Sequence, residues 1–280
     1  MGLGAGIVRT FCRGPHYRGK IRIARWLAER FLPEKGLEHT LADGTTLNLH
    51  PRDWIEYRLL QRGNYEPKTL AFLEKNLRPG QQAVLAGVNI GLHVIAAARA
   101  VGAEGKVVGV EPQPASLLRA RDNIMLNKLP DNIFLVSGAL SPNPAILPMD
   151  PAPAHNSGMA SFIGQEKSSC PFRIIAEPLP EMLYRLGLRR PDFMLLDVEG
   201  FEEEVLQGFT PSSRPRILVM EVKEDHLARA GSSEQKIYGK LADLRYKSFD
   251  LTGKPATANQ PVEEFNVVAI ADDAGEVNWV

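Results

Sequence analysis

The stretch AVLAGVNIGLH, residues 83–93, decides the fold. Four apolar residues, Ala83 to Ala86, run into the turn Gly87-Val88-Asn89-Ile90-Gly91, and a helical apolar pattern follows from about Ile90 to Val101. A strand at 83–87 feeding a glycine turn and then a helix is what a nucleoside-binding α/β unit needs, because the ligand must approach bare backbone at the strand end.

The turn also discriminates between cofactors. A dinucleotide fingerprint, G-x-G-x-x-G, seats a pyrophosphate on backbone at a helix N-terminus. Here the turn is G-x-N-x-G, one residue shorter between its outer glycines, with Asn89 in the middle. Asn tolerates a left-handed backbone better than most residues. Its side chain would crowd a pyrophosphate but can hydrogen-bond an uncharged group. The turn therefore favours a nucleoside cofactor without phosphates, of which S-adenosyl-L-methionine is the common one, over the NAD of an oxidoreductase. The next strand, KVVGVEP, ends in Glu111 and Pro112, roughly 20 residues past Gly91. A carboxylate there can accept both ribose hydroxyls. A helix-capping role for Glu111 is the alternative.

Outward from this unit the pattern alternates. Helix PASLLRARDNIMLN, with Leu117, Leu118, Ile124 and Leu126 as its apolar side, is followed by strand NIFLVSGAL. Then come strand DFMLLDVEG, helix FEEEVLQGF, strand RPRILVMEV, helix SEQKIYGKLADL, and strands YKSFDL and EFNVVAIA. The expectation is an α/β fold with a mostly parallel seven-stranded sheet and helices on both faces. The last two strands lack an intervening helix and are expected to form an antiparallel edge pair. The Pro-rich run SPNPAILPMDPAPAHNSGMASF interrupts the alternation and is expected to be a binding loop. Residues 1–64 read as an appendage, a lid or docking segment: a basic helix IRIARWLAERF, a hairpin around Asp43-Gly44, and a helix ending at Gly63-Asn64. Residues 65–280 read as the cofactor-binding domain.

The formal charge is zero, with 33 Lys or Arg against 33 Asp or Glu, which argues against a nucleic-acid binder. Cys12 and Cys170 make neither a disulfide framework nor a zinc site, and no metal is expected; a reducing cytoplasm suits them. No apolar run approaches the roughly 20 residues of a membrane span. The basic helix at 21–31 reads either as docked on the domain with its arginines in water, or as resting on a membrane surface.

GVNIG, GKVVGVEPQP, LLDVEGFEEEVLQGF and RPRILVMEV, in this order, resemble the FkbM family of S-adenosylmethionine-dependent methyltransferases over roughly residues 40–270. GNYEPKTLAFLEKNLRPGQ is similar to the segment that precedes the family's cofactor strand. The resemblance implies a Rossmann-like class I methyltransferase fold and O-methylation of hydroxyls on natural products and sugars. Two positions depart from the family: Leu85 stands where Asp is usual, and Leu195 where Lys is usual, two residues before Asp197. The usual Asp would help hold the cofactor's methionine end, a part that falls here to Glu66 or Asp197.

The expected cofactor site is thus Glu66, Gly87, Asn89, Gly91, Glu111, Pro112 and Asp197, with Ser137, Gly138 and Ala139 lining the adenine. Methyl transfer mainly requires alignment and exclusion of water. An aliphatic hydroxyl also needs a proton acceptor. Asp197, Glu199 and His155 are the catalytic candidates, with Glu221 and His93 as further bases and Asn156 as an orienting group. Glu202 is left between function and helix capping, while Glu203 and Glu204 fall in a first helical turn where the macrodipole favours them. The rival readings are a catalytically degenerate binding module and an NAD-dependent oxidoreductase.

Overall fold

The computed structural model describes residues 3–15, 17–149 and 172–280. Two antiparallel helices come first, α1 (Leu3–Arg13) and α2 (Lys20–Phe31). The Lys20 ammonium, almost fully buried, donates to the carbonyls of Cys12 and Gly14 and so places a positive charge on the C-terminal end of α1. A hairpin follows, β1 (Leu37–Thr40) and β2 (Thr46–Leu49), turned by Asp43, whose Oδ1 accepts from the Thr45 amide. Helix α3 (Trp54–Arg62) is capped by Asp53 and ends at Gly63, φ 76°; α4 (Pro67–Asn76) starts on its proline.

The alternating unit then runs β3 (Gln82–Ala86), α5 (Leu92–Val101), β4 (Lys106–Glu111), α6 (Pro114–Met125), β5 (Ile133–Ser137). Three short strands form a separate small sheet: β6 (Ala139–Leu140), β7 (Ala145–Pro148) and β8 (Arg173–Glu177). The chain resumes with α7 (Leu179–Arg185), β9 (Phe193–Leu196), α8 (Glu202–Gln207), β10 (Ile217–Glu221), α9 (Glu224–Arg229), α10 (Glu234–Asp243), β11 (Tyr246–Phe249) and β12 (Asn266–Ala271).

The main sheet has seven strands in the order β11-β12-β10-β9-β3-β4-β5. Only β12 runs against its neighbours, so the expected antiparallel edge pair is β11 with β12. Strands buried on both faces read as unbroken apolar runs, and alternate residues feed two cores. Val84, Ala86, Val110, Leu196 and Met220 pack with α7, α8 and α10. Ala83, Leu85, Val107, Leu195 and Val219 pack with α4 and α5 on the other side. A third core joins α1, α2, the first hairpin and α3 to Ile90, Leu92 and Ile95, so the first elements of the chain press on the outside of the glycine turn.

Three local readings change. NIFLVSGAL is two strands, because a Cβ at Gly138 would meet the Ile175 carbonyl at 2.9 Å, and there the chain leaves the main sheet to pair with β8. The Pro-rich run carries β7 before residue 150. Helix α6 turns inward not its leucines but Ser116, Ala120 and Asn123; Leu118 is 52% exposed. The helix passes so close to the turn, with Ala120 Cα 3.2 Å from where a Cβ of Gly91 would stand, that only small residues fit between them.

Candidate active site

The C-terminal ends of β3, β4 and β9 meet at one cleft. Gly87 (φ 90°) and Asn89 (φ 51°) turn the chain out of β3 in the left-handed region. A Cβ at Gly87 would stand 1.8 Å from the Asp197 carbonyl oxygen, so this contact between two strand ends admits only glycine. Glu111, buried at the end of β4, fixes the turn: its Oε2 accepts from the Val88 and Asn89 amides at 3.1 and 3.0 Å, and its Oε1 from Gln113 at 2.9 Å. Burial raises its pKa and the three amides pull it back. The helix-capping alternative for Glu111 is thus only a single bond, since α6 begins at Pro114.

The cleft encloses about 610 Å³ including its open mouth, and is lined by Gly87, Asn89, Glu111, Pro112, Gly138, Ala139, Asp197 and Glu199, with Ala86, Val110, Leu140, Val198 and Phe201 as its apolar walls. Of the expected residues, three lie off it. Gly91 serves as the left-handed N-cap of α5 against Ala120. Ser137 is exposed on β5. Glu66, at the N-cap of α4 with φ 45°, stands beside the cleft rather than in its lining, near His93, whose Nε2 is 3.5 Å from its Oε2. His155 and Asn156 lie outside the described residues.

Around Asp197 the charge is unbalanced. Burial first, then the charges of Glu221, Glu199, Glu66 and Glu202, push the Asp197 pKa well above its usual range, and its Oδ1 has no hydrogen-bond partner among the described residues. Burial and Glu221 push Glu66 up to about 7. Burial holds His93 neutral, near a pKa of 4. Burial takes Glu202 to about 7, while its Oε1 accepts from Val198 and Gly200; that carboxyl holds the turn on which Glu199 sits at φ 55°. Burial would raise Glu221, but hydrogen bonds from His226 and Lys223 outweigh it and its pKa falls. His226 Nδ1 lies 2.8 Å from Glu199 Oε2 and 3.5 Å from Glu221 Oε2, and those hydrogen bonds raise it to about 9. Glu199, Glu221 and His226 offer three ligand atoms within 4.8 Å of one another, the spacing of a metal site, yet the Lys223 ammonium already pairs with Glu221 and the imidazolium with Glu199. His226 and Lys223 were invisible to sequence reasoning, because nothing in VKEDH announces that a short helix will fold them back onto β9.

The model of the methyltransferase FkbM domain matches residues 86–248. The chain belongs to the FkbM methyltransferase family. It is accordingly an S-adenosylmethionine-dependent methyltransferase, and the bare backbone at Gly87 together with the unpartnered Asp197 oxygen suits a cationic nucleoside. Among solved structures, the chain is similar to precorrin-6y C5,15-methyltransferase from Geobacter metallireducens GS-15 (17% identity, 74% of this chain and 88% of that one, TM-score 0.42). It is also similar to an O-methyltransferase from Bacillus cereus in complex with S-adenosylhomocysteine (14%, 74% and 81%, 0.42) and to an S-adenosylmethionine-dependent O-methyltransferase from Thermotoga maritima (13%, 89% and 83%, 0.42). No curated protein matches the chain.

The family's departures have a structural counterpart. Leu85 and Leu195 are register partners on adjacent parallel strands and share the apolar layer under α4 and α5, away from the residues that line the cleft.

Proposed function

We propose that the acceptor is a hydroxyl of a small molecule or sugar, and that residues 65–280 carry the reaction with 1–64 as an appended docking segment, in the cytoplasm. The observation that carries this reading is one close ion pair. Glu199 lines the cofactor cleft, and His226, which lies 2.8 Å from it, lines a second cavity of about 970 Å³ including its open mouth, together with Lys223, Glu224, Glu234, Tyr238 and Asn259. A cavity so rich in polar side chains favours a polyhydroxylated acceptor over an apolar one.

The bound cofactor supplies a methyl group already activated on a sulfonium. The chain's own residues do the rest. Glu111 presents its carboxylate to the ribose hydroxyls, and Gly87, Asn89, Pro112, Gly138 and Ala139 form the walls for the nucleoside. Asp197, with Glu66 behind it, supplies negative charge for the methionine ammonium. Glu199 takes the acceptor's hydroxyl proton at its free carboxylate face, while the His226 imidazolium orients it.

The test is transfer of a labelled methyl from the cofactor into fractionated small-molecule and carbohydrate extracts, with mass analysis of the labelled product. The expected product is a methyl ether, and Glu199→Gln should lower kcat about 10²–10⁴-fold while cofactor binding holds. Label on nitrogen or carbon, or a Glu199→Gln enzyme of full activity, sinks the reading.

A further inference from the structure

We propose that α1 and α2 form a docking surface for an anionic phospholipid bilayer. The inference is independent of the acceptor. It starts from charge. Residues 1–35 hold eight Lys or Arg and two Glu; from chain totals of 33 and 33, that leaves 25 basic against 31 acidic residues elsewhere. A neutral protein is thus a strongly polarised one, with its positive pole on one helical hairpin.

The two readings of the basic helix concern opposite faces. The inner face, Val8, Cys12, Ala24 and Ala28, is sealed into the core that continues to Ile90 and Leu92. The outer face leaves large apolar side chains in water: Leu3 at 86% exposure, Trp26 at 61%, with Ile7, Tyr17, Ile23 and Phe31 all more than two-fifths exposed. Interleaved with them are the exposed arginines Arg13, Arg18, Arg22 and Arg30. Arg18 and Arg22 border a recess of about 680 Å³ including its open mouth, whose remaining lining is Gly19, Ile23 and Trp26: guanidinium groups beside an indole and an aliphatic wall. This is the arrangement that a headgroup–acyl boundary rewards, with arginines on phosphates and indole and aliphatic groups just below. A nucleic acid would use the arginines and the indole but has no partner for Leu3, Ile7 and Ile23. The hairpin is already tied together before it docks, because the buried Lys20 ammonium joins α2 to the carbonyls that end α1. Docking therefore does not have to order the hairpin first. Among the described residues no helix is long and apolar enough to cross a membrane, so the attachment would be peripheral and reversible.

The experiment is flotation of the full chain with vesicles of phosphatidylcholine alone or mixed equally with phosphatidylglycerol. Binding is expected only to the mixed vesicles, with release on raising salt from about 0.1 M to about 0.5 M, where screening shortens the range of surface charge. Arg18→Glu with Arg22→Glu should weaken binding at least tenfold, and Trp26→Ser with Ile23→Ser about as much. These side chains are exposed, and circular dichroism with cofactor calorimetry checks that each variant keeps its fold. A second readout needs no docking variant: in a protein with Trp54→Phe and Trp279→Phe, Trp26 fluorescence should shift to the blue on mixed vesicles. Absence of binding to mixed vesicles, equal binding to neutral ones, indifference to Trp26→Ser with Ile23→Ser, or displacement of the protein from vesicles by a single-stranded RNA homopolymer at equal charge would overturn the proposal.

Discussion

Restoring the family's usual pair at Leu85 and Leu195 tests whether the two leucines mark lost function or a repacked core. They face each other in register between β3 and β9, exposed by only 1% and 3%. With Asp and Lys there, the neighbours would form a buried ion pair. Exchanging such a pair for packed apolar residues is neutral or stabilising by about 1–4 kcal/mol, whereas stranding one charge costs about 3–5 kcal/mol. Leu85→Asp should therefore cost about 3–5 kcal/mol for the unpaired carboxylate, plus up to about 1.5–3 kcal/mol of lost leucine burial. Leu195→Lys should cost about the same. Both figures are large against the roughly 5–15 kcal/mol that holds a domain together. The double variant regains its pair and should sit only about 1–4 kcal/mol below the natural protein. Urea unfolding of the four proteins at one pH closes the double-mutant cycle. A double variant that unfolds at lower urea than either single refutes the pairing. Cofactor calorimetry adds a second arm, since Leu85 packs away from the cleft. If the double variant gains about ten- to a hundredfold in affinity, the worth of one charge-assisted hydrogen bond, then Leu85 does stand in place of a cofactor contact and the core reading fails.

Three further outcomes follow from the site and its supports. Gly87→Ala must give up a left-handed backbone, at about 1–2 kcal/mol, and also meets the Asp197 carbonyl; calorimetry should find cofactor binding lost, and retained micromolar binding would mean that β3 and β9 can separate there. Glu66 and Asp197 have raised pKa values in the free protein, so a cationic ligand that favours their ionised forms expels protons, and its affinity rises with pH through about 7. S-adenosylmethionine and S-adenosylhomocysteine both carry the methionine ammonium, so by calorimetry each should gain affinity by up to about tenfold between about pH 6 and about pH 8; affinities that stay flat over that range contradict the assignment. Arg119→Met strands Glu56, whose pKa burial already lifts to about 7 despite the ion pair between them, and should cost about 3–5 kcal/mol near pH 8 but less near pH 5, where the carboxyl is protonated in the fold; urea unfolding at the two pH values reads the difference.

The sheet was legible because its strands are buried on both faces. Ala83–Ala86, Val107–Val110 and Ile217–Met220 can be nothing but strands between helices, and their order in the chain leaves few topologies. The small sheet was not legible. β6 has two residues and β7 ends on Pro148, so neither offers a period to count, and the break before them depends on a contact between Gly138 and Ile175, 37 residues apart in the chain. The same boundary divides the site. Gly87, Asn89, Glu111 and Asp197 lie within or next to strand ends, where local pattern places them. Glu66, Glu221, Lys223 and His226 come from three other elements, and only the tertiary fold reveals that their charges converge.

That convergence explains a cost the sequence hides. Asp197, Glu199, Glu221 and Glu66 are gathered in one place, and the described structure brings two cations to them, Lys223 and the His226 imidazolium, both engaged with Glu221 or Glu199. The carboxyls left over, Asp197 and Glu66, are the two whose pKa values rise, through burial first and then the neighbouring charge of Glu221. A core built for stability alone would not keep an oxygen like Asp197 Oδ1 buried with no partner among the described residues. Its placement makes sense when the missing positive charge arrives with the ligand: the fold holds an electrostatic deficit at the cleft, and a cationic cofactor is what completes it.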